Sequence, residues 1–121
     1  MPGNKNTSSI GKEYEEMAAV YLKENGYHLI ERNFRCRAGE IDIIAQEGRY
    51  LVFAEVKYRS SDLQGGPLPA VSREKQRRIS RAALWYLTKK HLGEDTPCRF
   101  DVIGITPDGI QIIRDAFPYQ G

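Results

Sequence analysis

The chain has 121 residues, 40% of them hydrophobic and 28% charged, with a net charge of +2. That is material for one domain with a real core, and no run approaches the ~18 apolar residues of a membrane span. Two cysteines, Cys36 and Cys98, and two histidines, His28 and His91, lack the close spacing of a zinc site and exclude nuclease chemistries built on several histidines.

The polar stretch 1–9 has no apolar centre of the kind a signal peptide carries. It reads as a flexible tail, and a cytoplasmic location is expected. A single domain should cover 10–117, with a short second tail at 118–121. Ile10, Tyr14, Met17, Ala18, Tyr21 and Leu22 recur at helical spacing and predict a helix over 10–25. Ser8 or Ser9 would cap it and Asn25-Gly26 would stop it. Residues 27–35, with Tyr27, Leu29, Ile30 and Phe34, predict a strand. Residues 40–46 and 50–58 predict a hairpin around Glu47-Gly48-Arg49-Tyr50. Residues 59–69 form a loop whose Gly65-Gly66-Pro67 lacks the spacing of a phosphate-cradling motif, so no nucleotide cofactor is expected. Pro69 precedes a helix over 70–91 with Ser72 as its cap. Val71, Ile79, Ala82, Ala83, Tyr86 and Leu87 give that helix an apolar stripe, with Trp85 and Tyr86 as packing residues. Residues 99–105 and 109–114 close the chain as a hairpin around Pro107-Asp108-Gly109.

Chemistry concentrates in the first hairpin. Gly39-Glu40-Ile41-Asp42-Ile43-Ile44 places an acid in one apolar strand, and Phe53-Ala54-Glu55-Val56-Lys57 places a Glu-x-Lys in the next. Buried charges are costly unless paired or bound to a metal. Two carboxylates about 4 Å apart repel by roughly 4 kcal/mol at an effective dielectric near 20, and a divalent cation reverses that sign. Lys57 shares a strand face with Glu55 and can meet an anionic substrate. If Asp42 opposes Glu55, then Ile44 opposes Phe53 and Gln46 opposes Leu51. One face would then carry Glu40, Asp42, Glu55 and Lys57, and the other Ile41, Ile43, Ala54 and Val56. Cross-strand salt bridges from these acids to Lys57 and Arg59 are the competing structural explanation.

The order α-β-β-β-α-β, with Asp42 on the second strand and Glu55-Val56-Lys57 on the third, resembles the restriction-endonuclease-like, or PD-(D/E)xK, superfamily. Ile41 stands where the superfamily name has Pro. The fuller set of Glu15-x-x-Ala18-Ala19, Asn33-Phe34-Arg35-x-Arg37-x-Gly39-Glu40-Ile41-Asp42, Phe53-x-Glu55-Val56-Lys57-x-Arg59 and Arg99-Phe100-Asp101-Val102 is similar to the YraN-like bacterial family, itself similar to archaeal Holliday junction resolvases. Tyr14 stands where many relatives have Gly, and the spacing to Ala18-Ala19 favours Glu15 over Glu16 as the helical acid. The resemblance implies an α/β fold with a mixed central sheet flanked by helices and a C-terminal hairpin. It implies that Asp42, Glu55 and the Val56 carbonyl hold Mg²⁺ or Mn²⁺, that Glu15 reaches the metal through water, and that Lys57 and Lys75 serve catalysis. Hydrolysis would leave a 5′-phosphate and a 3′-hydroxyl. Glu40 could assist, or pair with Arg35 or Arg37. Asp101 is expected in a structural ion pair with an Arg.

The segment 57–90 carries a balance of +7 and the rest of the chain −5, an asymmetry suited to a polyanion. Arg73, Arg77 and Arg81 recur every fourth residue beside Arg78. With Arg35, Arg37 and Arg59 they are expected to hold DNA phosphates, which positions a duplex without reading its sequence. The expected function is a metal-dependent endonuclease on structured or branched DNA, acting as a homodimer if cuts are paired. A nucleic-acid-binding module without turnover is the alternative.

Overall fold

Ala18, Ala19 and Leu22 fall on one helical face, and all three are buried where α1 (Gly3–Glu24) meets the sheet. The structure is a computed structural model that describes the backbone of residues 3–59 and 71–121 and the side chains of 11–59 and 71–121. Residues 60–69 of the predicted loop, the start of the predicted second helix at 70, and the side chains of Ser8, Ser9 and Ile10 lie outside those described. Helical backbone reaches Gly3, so α1 begins before the expected cap and takes in most of the stretch expected as a tail. No proline follows Pro2 to break the hydrogen-bonding there. The helix stops as expected. Gly26 adopts φ +93, Tyr27 N–H donates to the Leu22 carbonyl (3.0 Å) and Gly26 N–H to that of Lys23 (3.3 Å), the paired bonds of a Schellman cap.

Five strands follow in a single sheet of order β1-β2-β3-β4-β5: β1 (His28–Cys36), β2 (Gly39–Glu47), β3 (Tyr50–Tyr58), β4 (Cys98–Thr106) and β5 (Gly109–Ile113). All neighbours are antiparallel except β3 and β4, which run parallel across the connection that contains α2 (Arg73–Lys89). A parallel pair needs such a crossover. This is the expected mixed α/β architecture, the restriction-endonuclease-like core order ending at β4, with β5 added as a hairpin on it. Among the described residues no helix is long and apolar enough to cross a membrane.

Strand alternation sorts the core into two layers. Ile43, Ala45, Val52, Ala54, Ile103 and Ile105 pack with α1. Ile44, Phe53, Phe100 and Val102 pack with Ile79, Ala82, Ala83 and Tyr86 of α2. The Ser72 side chain caps α2 by accepting from Lys75 N–H (3.1 Å). Two expected packing residues are exposed instead. Met17 is one step of about 100° from Ala18, and Trp85 one step from Tyr86, which carries each off its narrow buried arc.

The first hairpin pairs Ile44 with Phe53 and Gln46 with Leu51, the predicted register, and Glu47 with Tyr50. The turn is thereby tightened to Gly48-Arg49. Positive φ at Gly48 (+58) and not at Arg49 is the pattern of a type II′ turn, which suits strand twist. Alternation fails at Ile41. Ile41 packs on the α2 side with Phe34, although Ile43 packs on the α1 side. The expectation that Ile41 shares a face with Ile43 is therefore corrected. Asn33, whose place in the β1–β2 register is opposite Asp42, has φ +56, and that left-handed step disrupts the pleat there.

Candidate active site

The β2–β3 backbone ladder runs from Glu47↔Tyr50 to Ile43↔Ala54 and stops. Beyond it Asp42 does not continue the ladder. Its Oδ2 accepts the Val56 N–H at 2.9 Å, a side chain standing in for backbone. The strands part at this point, and acids from three elements enter the gap. One carboxylate oxygen each from Glu15 of α1 and from Glu40 and Asp42 of β2 lie within 4.8 Å of one another. Glu55 is buried and hydrogen-bonds to the Asp42 carboxyl, while its Oε2 lies 3.7 Å from Lys75 Nζ of α2. Asp42 thus joins the Glu15–Glu40 side to the Glu55 side.

The electrostatics follow from this crowding. Burial first, then repulsion from Asp42, pushes Glu55 up to about 8 against the pull of Lys75 and Lys57. Asp42 is raised mainly by burial, opposed by the Val56 N–H. Glu15 is raised by burial and by Asp42. A folded chain that holds these protons outbinds the unfolded chain above the ordinary carboxylate range. Stability without metal should therefore fall as pH rises from about 4.5 to about 8 and level off beyond. Thermal denaturation in EDTA from pH 5 to 9 checks this, and Glu55→Gln should remove most of the slope. Glu47, held down at about 2 by Arg114 and Arg99, works in the opposite sense, and its contribution is lost as pH falls from about 4.5 to about 2.

Hard oxygen donors converging in a half-buried gap are the donor set that Mg²⁺ or Mn²⁺ takes, with waters completing the shell. Asp42 and Glu55, the acids expected to hold the metal, are neighbours here, with Glu55 outside the trio of Glu15, Glu40 and Asp42. Val56 shows its N–H to Asp42. Glu40, left between assistance and pairing with Arg35 or Arg37, stands in the acid trio and 3.7 Å from Arg35. Its position two residues before Asp42 was the available signal. Glu15, not Glu16, enters the cluster, since Glu16 is turned to Arg32 at 2.7 Å. Asn33, part of the Asn33-Phe34-Arg35 string but given no role there, lies by Glu15 and favours its charged form.

Basic groups flank the acids. Arg35, Lys75 and Arg78 line a pocket of about 340 Å³ with Cys36, Gly39 and Glu40. Arg78 packs over Gly39, where an added Cβ would come within 3.5 Å of the Arg78 Cβ, and it pairs with Glu74 at 2.9 Å. Arg37, Arg73, Arg77 and Arg81 are exposed, and Arg59 is partly buried after β3. Asp101 lies elsewhere, on the α1 side of β4. It is fully buried and accepts from Tyr27 Oη (2.7 Å), Arg99 Nε (2.9 Å) and Asp115 N–H (2.9 Å), the ion pair with an Arg that was expected.

A family model described as "Uncharacterised protein family UPF0102" matches residues 14–105. The chain belongs to this family. UPF0102 proteins of Lachnoclostridium phytofermentans and Syntrophus aciditrophicus are each 49% identical to it, over 98% and 97% of this chain and 98% and 92% of theirs. Among solved structures, the crystal structure of SSO0001 is similar at 19% identity and a TM-score of 0.47, over 94% of this chain and 54% of that one. The UPF0102 match spans Glu15, the whole split hairpin and α2, so every acid of the gap lies inside it.

Proposed function

We propose that this UPF0102 protein is a divalent-metal-dependent endonuclease that hydrolyses phosphodiester bonds in structured or branched DNA. The observation that carries the reading is the convergence of Glu15, Glu40, Asp42 and Glu55 where β2 and β3 part. Four carboxylates gathered beside an apolar core oppose folding unless a cation or a shared proton offsets them. Asp42 and Glu55 would hold the metal, with the Val56 carbonyl as the implied third ligand and Glu15 acting through water. A bound Mg²⁺ or Mn²⁺ supplies charge to the phosphate oxygens and a more acidic water. Lys57 orients the attacking water and offsets charge in the transition state. Lys75, 3.7 Å from Glu55, would offset charge on a phosphate held at the acids. The new P–O bond forms from water, the bond to the 3′ oxygen breaks, and that oxygen leaves as a hydroxyl with a proton from solvent.

The test is cleavage of labelled duplex, flap, fork, four-way junction and single-stranded DNA with Mg²⁺, Mn²⁺ or EDTA. Metal-dependent cutting supports the reading. Tight, salt-sensitive binding without cutting under any metal favours the binding-module alternative. Paired cuts on one substrate would require two copies, which sedimentation of the complex would show.

The exposed row Arg73, Arg77 and Arg81 is assigned to phosphates. Replacing all three with Ala should weaken DNA binding across sequences and flatten the dependence of log K on log salt by about 0.9 for each phosphate no longer neutralised. An unchanged salt slope in fluorescence anisotropy would remove α2 from the interface.

A further inference from the structure

Two aromatic rings neighbour residues of the acid gap along the chain, outside the catalytic assignment. Tyr14 directly precedes Glu15 on α1, and Tyr58 directly follows Lys57 on β3. Their centroids lie 3.9 Å apart with planes 14° from parallel. Tyr14 packs against the α1-side core, whereas Tyr58 belongs to neither core cluster and remains 42% exposed. One face of Tyr58 is covered by Tyr14, and the residue keeps exposed surface beyond that contact. The rings are already stacked in the free protein, so the platform is preformed.

We propose that the Tyr14–Tyr58 stack is a subsite for one unpaired nucleobase next to the scissile phosphate. This rests on the nuclease reading for the place of that phosphate. Three residues of strand, about 10 Å, separate Tyr58 from Glu55. An unpaired strand, more extended than duplex, covers that distance in about one or two nucleotides. An exposed aromatic face accepts any base by stacking, without reading its identity. A base inside a perfect duplex has no free face to offer, and extruding it is costly. The subsite therefore selects DNA with unpaired nucleotides near the cut, such as flaps, forks or bulges, over continuous duplex. Tyr58 supplies the contact face, and Tyr14 fixes its orientation from behind.

The experiment places 2-aminopurine at successive positions of an unpaired arm and, separately, within a continuous duplex. Binding is followed in Ca²⁺ instead of Mg²⁺, with folding of each variant checked by circular dichroism. Stacking should quench emission at one or two arm positions in the unaltered protein, and not in the duplex. Tyr58→Leu should abolish the quench and weaken arm-bearing DNA by about 5- to 150-fold, the factor one base–aromatic stack is worth, with duplex binding unchanged. Tyr58→Phe should retain both quench and affinity. Binding without a quench in the unaltered protein overturns the subsite, as does a quench that survives in folded Tyr58→Leu, or no binding of arm-bearing DNA at all. A quench without Mg²⁺-dependent cleavage would instead sink the nuclease reading and leave the stack standing. Cleavage without a quench does the reverse.

Discussion

Glu55→Gln is expected to reduce Mg²⁺-dependent cleavage by at least about 10²-fold, on the scale of losing one preorganised charge from a phosphoryl-transfer site, and to leave the unliganded protein as stable or more so. The two effects share a cause. Glu55 is buried, hydrogen-bonded to Asp42 and pushed up to about 8 by burial and by that neighbour. Removing its charge relieves a repulsion that folding otherwise carries. A carboxamide of the same shape preserves the packing and a hydrogen bond to Asp42. Lys75 loses its ion partner, but at 42% side-chain exposure water replaces it. Asp42→Asn should behave alike in activity, with a smaller gain in stability because the Val56 N–H rewards the charged form. Gel-based cleavage and calorimetric Mn²⁺ titration read the first effect, and thermal denaturation in EDTA the second. Full activity in both variants would sink the site assignment. A large loss of stability would mark the acids as structural.

Asp101→Ala is expected to act in the opposite way, costing about 3–5 kcal/mol of stability while cleavage persists at temperatures where the variant is folded. Arg99 joins Asp101 to Glu47, and Arg114 grips Glu47 through two bonds of 2.9 and 2.7 Å. Tyr27, Arg99 and the Asp115 N–H are all deprived of an acceptor when Asp101 is removed, and Arg99 is only 12% exposed at its side chain. A buried partner left unpaired loses its hydration without compensation. The network ties the β1 entrance, β2, β4 and the segment after β5 at the end of the sheet remote from the acids. Glu47 and Asp42 are five residues apart on β2, about 17 Å. Urea denaturation should show the lowered midpoint with an unchanged slope. A near-normal midpoint would mean that the network breaks even against solvent.

The element order, the hairpin register and the Asp42/Glu55-x-Lys57 pattern were legible in the chain itself. Each depends on neighbours close in sequence: helical spacing in 10–25, period-two alternation in 40–46 and 50–58, and a turn at Gly48. Asp101 was also readable as an ion pair, because an acid in an apolar strand two residues after Arg99 has few other options. Exposure was less legible. Met17 and Trp85 have apolar side chains, and periodicity alone did not exclude them from the core.

What the tertiary structure alone decided is the composition of the gap. Glu15 meets Glu40 and Asp42 because the β2–β3 ladder ends at Ile43↔Ala54, a break local to the fold and invisible in a strand pattern that alternates on paper. Lys75 falls on Glu55 because α2 crosses over the sheet between two parallel strands. Tyr14 and Tyr58, 44 positions apart in the sequence, become a stack because α1 packs across β3. Sequence determines which residues share a face within one element, since backbone geometry there repeats. Which faces of different elements meet depends on packing that only the whole chain completes.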